Sequence, residues 1–176
     1  MPNVFGRDVQ TVEEIVKVFQ AHGDDVRGTY RARYQWSPQS DAYSSAILER
    51  PSFLRDNPAH VVFPWEQIFL AAATCAGADY PMIAAHLGAP LDRVEFVVEG
   101  VFDPRGEFHG LGGFDAPADA APCYISLHLR ATLRSTARRD VLEKIHRHVV
   151  ERNMVLGALR GIPRTSDLAI VDPRAV

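Results

Sequence analysis

The segment Pro64 to Cys75, Pro-Trp-Glu-Gln-Ile-Phe-Leu-Ala-Ala-Ala-Thr-Cys, constrains the fold more than any other part of the chain. Proline suits the first turn of a helix, where an N–H has no intrahelical partner to lose, and the Leu and Ala that follow are strong helix formers. A helix that is apolar nearly all round belongs at the centre of a protein. Pro81 falls inside the continuation from Tyr80 to Leu87, where it removes a backbone donor and crowds the carbonyl of Gly77. A kink or break just after Cys75 is therefore expected. Gly88 and Pro90 end the segment.

The flanking sequence supplies the layer such a helix packs on. Gly28 to Trp36 alternates, with Tyr30, Ala32, Tyr34 and Trp36 on one face. Ser-Pro-Gln-Ser-Asp then turns the chain, and Ala42 to Leu48 returns as the second arm of a hairpin. Pro51 to Pro58 reads as loop. Leu91 to Phe102 alternates as a strand. In Tyr124 to Leu133 the alternation puts Tyr124, Ser126, His128, Arg130 and Thr132 on one side and Ile125, Leu127, Leu129, Ala131 and Leu133 on the other. Ahead of the first strand, residues 11–22 form an amphipathic helix with Val12, Ile15, Val16 and Phe19 on its apolar stripe. Thr11 is its N-cap, and Glu14 completes a capping box. Residues 103–122, rich in Gly, Ala, Asp and Pro, make a long loop. Thr136 is expected to cap a second long helix with the stripe Leu142, Ile145, Val149 and Leu156, closed by Gly161 and Pro163, and Leu168 to Val171 is a short last strand. The order helix, hairpin, long helix, strand pair, long helix, strand describes one α+β domain over residues 1–176, with an antiparallel sheet and two principal helices.

Composition narrows the function classes. With 19 basic against 22 acidic residues the net charge is −3, and no run of like charges hides inside it, so neither nucleic acid nor an anionic membrane is an expected partner. No apolar stretch is expected to reach the length of a membrane span, and Met1 to Gln10 lacks the apolar core of a signal peptide, so a cytoplasmic location is expected. Two cysteines, Cys75 and Cys123, are too few for a disulfide scaffold and lack zinc-site spacing. The i, i+4 His pair of helical metal sites is missing: His146 and His148 face different ways. His128 lies on the polar face of its strand, and His60, His86 and His109 read as surface or loop residues. No metal and no cofactor is expected. Seventeen of the basic residues are Arg, so an Arg near a motif carries little weight.

Cys75 sits on the stripe of Ile68, Ala72 and Asp79, and a buried Cys in such a place is commonly a small apolar core residue. The run Pro64 to Cys75, however, resembles the central-helix motif of the OsmC/Ohr family of organic hydroperoxide reductases, including the nine-residue spacing from Glu66 to Cys75. The likeness extends from Arg27 to about Val171: RARYQW is similar to the first strand, LDRVEFVVEGVFD to the strand after the central helix, and YISLHLRATL with DVLEKIHRHVVERNMVLGALRGIP to the closing strand and helix. The N-terminal helix resembles an extension of one OsmC-like subgroup. The resemblance implies an OsmC-like fold of antiparallel sheets packed with two long central helices, in an intertwined homodimer with active sites at its interface. It also implies that Cys75 is the peroxidatic thiolate, oxidised to a sulfenic acid by a hydroperoxide, with Glu66 and an Arg holding the site. A second Cys then resolves the sulfenic acid as a disulfide that dithiols reduce.

Several positions depart from that pattern. Asn153, in Asn153-Met154-Val155, stands where the family has the resolving Cys of Cys-Pro-Val, on what the stripe makes the apolar face of its helix. The family Arg, counted seven residues from Trp36, corresponds to Tyr43. Arg27, Arg31 and Arg33 on the preceding strand read as solvated strand-edge residues. Glu66 and Cys75, nine residues apart, lie on opposite faces of an ideal helix about 13 Å apart along its axis, so they can share a site only through a nonhelical entry at Pro64 to Glu66 or across a dimer interface. At the helix start Glu66 also reads as a favourable first-turn carboxylate. Val61, Val62, Phe63 and Trp65 make the entrance apolar and aromatic. An ionised Asp79, one turn after Cys75, would oppose a thiolate. Cys123 reads as a structural Cys at the end of the long loop. Tyr43, Asn153, Trp65, Phe63 and Asp79 are candidate pocket residues, and three functions follow: a peroxidase using Cys75 alone and reset by an external thiol; a hydrolase or lyase for a small apolar molecule, with Cys75, Glu66, Tyr43 and Asn153 lining its pocket; or a noncatalytic binding dimer.

Overall fold

The computed structural model describes residues 3–40, 42–58, 62–120 and 124–174. Cys123, His60 and Val61, which enter the sequence reading, lie outside the described residues. The chain opens with a short hairpin that the sequence does not announce, β1 (Asn3–Val4) and β2 (Arg7–Asp8). Helix α1 (Val12–His22) follows with its expected capping box: Thr11 Oγ1 accepts from the Glu14 N–H, and the Glu14 carboxylate accepts from the Thr11 N–H.

Strand β3 (Gly28–Trp36) has the predicted limits, and β4 (Ser44–Glu49) pairs with it antiparallel. The long helix α2 (Pro64–His86) leads to β5 (Arg93–Phe102) and β6 (Tyr124–Arg134), and then come α3 (Arg139–Arg152), α4 (Met154–Ala158) and β7 (Arg164–Val171). The five longer strands form one sheet in the order β4-β3-β5-β6-β7. Its pairs are antiparallel except β6 with β7, which run parallel because α3 and α4 carry the chain back to the starting end before β7 enters. The expected all-antiparallel arrangement is thus a mixed single sheet.

One face of the sheet carries the core. Tyr30, Ala32 and Tyr34 of β3, Phe96 and Val98 of β5, and Leu129, Ala131 and Leu133 of β6 are all buried, beneath Phe69, Ala72, Ala73, Ala76 and Tyr80 of α2. Each fully buried large side chain contributes about 1.5–3 kcal/mol. Two glycines let helix and sheet approach this closely: a Cβ on Gly77 would lie 2.2 Å from the Tyr34 ring, and one on Gly100 would lie 2.3 Å from the Phe69 ring. The opposite face of the sheet is polar, with Arg31 bonded to Glu49 and Glu99 and Gln35 bonded to Glu95.

Five expectations are corrected. Helix α2 runs unbroken across Pro81. The missing bond costs about 3 kcal/mol, but Ala76, Gly77, Tyr80 and Ala84 are buried on both sides of the proline and hold the segment against the sheet. The uninterrupted α2 is consequently long and apolar enough to span a membrane by length and composition, contrary to the sequence expectation, although it lies along the sheet with its inner face buried. That helix is not buried all round: Ile68 is 41% and Met82 64% exposed, and Gln67 and Ala71 are exposed with them. The second long helix begins at Arg139, not after Thr136, and is divided at Asn153. Ser135, not Thr136, makes the local bond there, its Oγ accepting from the Ala137 N–H. Finally, β6 is bulged. Val101 pairs with Ser126 but Phe102 pairs with Tyr124, so Ile125 is the extra residue and Tyr124 turns to the core face instead of the polar one.

The long loop is a packed structure over its described part, with 3-10 turns at Pro104–Phe108 and Leu111–Gly113. Fully buried Asp103 accepts a bidentate pair from Arg105 and a bond from Arg27, while Arg105 also reaches the Gly23 carbonyl and Asp24. Burial alone would raise the Asp103 carboxyl, but the bonds and charge of Arg105 outweigh it and hold the group below the usual carboxylate range.

Candidate functional site

Pro64 occupies the first turn of α2, and Glu66 is its third residue. There the Glu66 carboxylate reaches back to accept from the Phe63 N–H at 2.8 Å, satisfying one of the free donors at the helix start. The same carboxylate is fully buried and accepts from Arg50 Nε at 2.6 Å and Nη2 at 3.1 Å. Arg50, the residue after β4, spends its remaining nitrogen on the carbonyls of Asn57 and Pro58, both at 3.2 Å. Its guanidinium stands 6.0 Å from the centre of the Phe63 ring. A bidentate, enclosed pair of this kind has its donors and acceptors committed.

Trp65 is tied in beside it. Its indole N–H donates to Tyr30 Oη at 2.7 Å, its carbonyl accepts from Tyr124 Oη at 2.6 Å, and its ring stacks between Phe63 and Phe102. Burial raises both phenols, so they stay protonated and serve as neutral partners. Phe63 and Trp65 thus belong to an aromatic layer that continues through Phe69. The inward turn of Tyr124 at the bulge completes it.

Cys75 lies two and a half turns beyond Glu66 along α2, half-buried. Asn153 Nδ2 donates to its Sγ at 3.2 Å and to Asp79 Oδ2 at 2.8 Å. The other end of the same amide, Oδ1, accepts from the N–H groups of Val155 at 3.1 Å and Leu156 at 3.0 Å. Asn is among the best N-cap residues, and its extended backbone here ends α3 and starts α4. The turn that divides the helix therefore also aims the amide nitrogen at Cys75. Asn153 is buried as the stripe implies, though at a junction of two helices rather than on the face of one. Chemically, a two-hydrogen donor bridges sulfur and carboxylate. It offers one N–H to the sulfur and the other to the Asp79 carboxylate, but it cannot supply a second sulfur.

The structure brings together Cys75, Asp79 and Asn153 and leaves the other sequence candidates elsewhere. Because α2 is helical from Pro64, no irregular entry folds Glu66 back, and within one chain Glu66 and Cys75 stay on opposite faces about 13 Å apart along the axis. Tyr43, 54% exposed, packs on Tyr34 with ring centres 5.4 Å apart. Arg27 binds Asp103 and Asp119, and Arg31 binds Glu49 and Glu99. His128 meets Thr165 and Asp167. Among the described residues no group of three or more His, Cys, Asp or Glu is disposed to hold a metal ion. Arg50 is the residue that sequence reading missed. Its one signal is chemical: a Glu destined for the buried start of a helix requires a cation, and Arg50 closes the strand that ends in the loop before that helix.

No family model matches the sequence, and no curated protein matches it. Solved structures do. An OsmC-like protein from Mycoplasma pneumoniae superposes with a TM-score of 0.52 at 12% identity, covering 79% of this chain and 95% of that one. A second structure, from structural genomics, superposes at 0.51 with 13% identity, covering 80% of this chain and 98% of the other. The chain has an OsmC-like α+β fold, with α2 as its central helix.

Proposed function

We propose that this chain works as a homodimer in which Cys75 reduces organic hydroperoxides and an external thiol regenerates it. The observation that carries the reading is the position of Cys75 on the central helix of an OsmC-like fold, half-buried, with a neutral amide donor 3.2 Å from its sulfur. The thiolate attacks the distal oxygen of the hydroperoxide; an S–O bond forms, the O–O bond breaks, and the alkoxide leaves as the alcohol with the proton given up by the thiol. Cys75 is then a sulfenic acid, which the Asn153 amide can hold by the same bond it makes to the thiol. An external thiol attacks this sulfur and expels water, and a second thiol releases reduced Cys75 as the reductant becomes a disulfide.

The dimer accounts for two features. Ile68, Ala71 and Met82 line an open apolar face of the central helix that a second copy would cover. Helix geometry also leaves a second copy as the way to bring an Arg50–Glu66 pair near a Cys75. A hydrolase or lyase reading has less support, because Tyr43 stands on Tyr34 and Trp65 and Phe63 are committed to the aromatic layer. A noncatalytic binding dimer is favoured by the double commitment of Asn153.

The test is consumption of cumene hydroperoxide with dithiothreitol. Cys75→Ser is expected to abolish turnover and Cys123→Ser to retain it, and intact mass after one equivalent of peroxide should show one added oxygen on wild type only. No turnover together with an unoxidised Cys75 would overturn the peroxidase reading in favour of the binding dimer.

A further inference from the structure

A cysteine sulfenic acid is carried to an irreversible sulfinic acid by further peroxide unless a nucleophile closes on the sulfur first. Among the described residues Cys75 is the one free cysteine, so none of them offers a second thiol for this task. A nitrogen is in place instead. Asn153 Nδ2 lies 3.2 Å from Sγ, a separation from which two groups held by a fold can react.

The amide is fixed at both ends. Oδ1 accepts from the Val155 and Leu156 N–H groups at 3.1 Å and 3.0 Å, and Nδ2 donates to Asp79 Oδ2 at 2.8 Å. Exchanging oxygen and nitrogen would set a carbonyl against the Asp79 carboxylate and an NH2 group against two N–H donors, so the nitrogen is kept toward the sulfur. Only 4% of Asn153 is exposed, which limits competition from water. A primary amide is a weak nucleophile until it gives up a proton. Asp79 stands where that proton leaves, and the two N–H groups stand where the resulting negative charge collects, on Oδ1.

We propose that Asn153 Nδ2 closes on oxidised Cys75 to form a sulfenamide, a reversible S–N cross-link between α2 and the start of α4. The step rests on the peroxidase reading, because an organic hydroperoxide must first supply the sulfenic acid. Nδ2 attacks Sγ, the S–N bond forms as the S–O bond breaks, and one amide proton passes by way of Asp79 to the departing hydroxide, which leaves as water. Sulfur keeps its oxidation level. An external thiol then attacks Sγ and breaks the S–N bond, and the nitrogen recovers its proton. A second thiol releases reduced Cys75 from the mixed disulfide as the reductant becomes a disulfide. The link shelters Cys75 from a second peroxide until thiol arrives.

Intact mass of the full chain carrying Cys123→Ser tests this, since Cys75 is then the one cysteine in the sequence. After one equivalent of cumene hydroperoxide without thiol, the species with one added oxygen is expected to give way to a chain two hydrogens lighter than the starting protein. Dithiothreitol should restore the starting mass, and peptide fragmentation should join Cys75 to Asn153. Asn153→Ser in the same background has no nitrogen to offer, so it should keep the oxygen and proceed to the sulfinic acid with more peroxide. Asp79→Asn should slow the loss of water about a hundredfold or more; an unchanged rate overturns the part assigned to Asp79. A chain that takes up no oxygen overturns the peroxidase reading and this step with it. Persistence of the added oxygen, a link to any other nitrogen, or the same loss of two hydrogens in Asn153→Ser overturns the sulfenamide alone. Should Asn153→Ser fail to fold, the fragmentation map of the chain that retains Asn153 decides.

Discussion

The two ends of the segment from Glu66 to Cys75 share one helix yet are built on opposite plans. At Glu66 charges are fully paired and enclosed: the carboxylate has no exposed surface, and Arg50 has 11% of its side chain exposed. At Cys75 one neutral amide reaches a half-buried thiol beside an open helix face. The first arrangement resists change because removing one partner strands the other without water. The second leaves the sulfur a polar neighbour while keeping one side available. This chain thus separates the charges that hold the helix start from the thiol of Cys75.

The largest test of that division is Arg50→Ala. It leaves the Glu66 carboxyl buried without its cation, and is expected to cost about 3–5 kcal/mol, read as a drop in Tm of about 6–20 °C for a chain of this size. Glu66→Gln with Arg50→Met, which removes both charges and keeps the volume, should recover much of the loss. If Arg50→Ala instead keeps its stability and loses peroxide turnover, the pair belongs to the reactive site and the contrast fails.

A smaller effect is expected at Asn153, where one side chain caps a helix and touches the thiol. Asn153→Ala loses both functions and should cost about 1–2 kcal/mol in urea unfolding, in line with removal of a good N-cap. Asn153→Ser retains a capping oxygen but has no amide to donate to Cys75. It should recover most of the stability while leaving the rate of Cys75 alkylation changed as in the Ala variant. If alkylation follows stability across the two variants, the contact to sulfur is incidental to the cap.

These tests turn on residues of unequal visibility in the sequence. The limits of β3, the start of α2 and the capping box of α1 were legible because each rests on a local signal, an alternation or a cap. Cys75, Asp79 and Asn153 were also legible, as positions on apolar stripes and in a family motif. What stayed hidden was nonlocal. Alternation assumes a constant register, so the extra residue Ile125 and the inward Tyr124 were invisible. The stripe Leu142, Ile145, Val149, Leu156 runs across the break at Asn153 because Leu156 returns to the same core from α4. Pro81 argues for a break when only the lost bond is counted, and the burial of Tyr80 and Ala84 decides otherwise. Arg50 was one of seventeen arginines, and its partner lies sixteen residues on, across a loop.

The smallest expected effect lies further along the inner face of α2 and sharpens the contrast with Glu66. Fully buried Tyr80 bonds through its hydroxyl to Nδ1 of His146 on α3 at 2.7 Å, a buried polar contact built without a permanent charge. Burial lowers the His146 imidazole below its ordinary value, with Asp167 opposing, and raises the Tyr80 phenol. Above about pH 6.5 the imidazole is neutral whether the chain is folded or not, and it adds no pH dependence. As the pH falls below that value the unfolded chain takes up the proton first, so stability declines through the lower folded value and levels off once both states are protonated. Urea midpoints measured at pH 7.5, 6.5 and 5.5 should therefore fall more steeply for wild type than for His146→Gln, which keeps an acceptor for Tyr80 but cannot titrate. Equal slopes would mean that protonated His146 is accommodated at the edge of α3. The Tyr80 contact would then be indifferent to pH in this range.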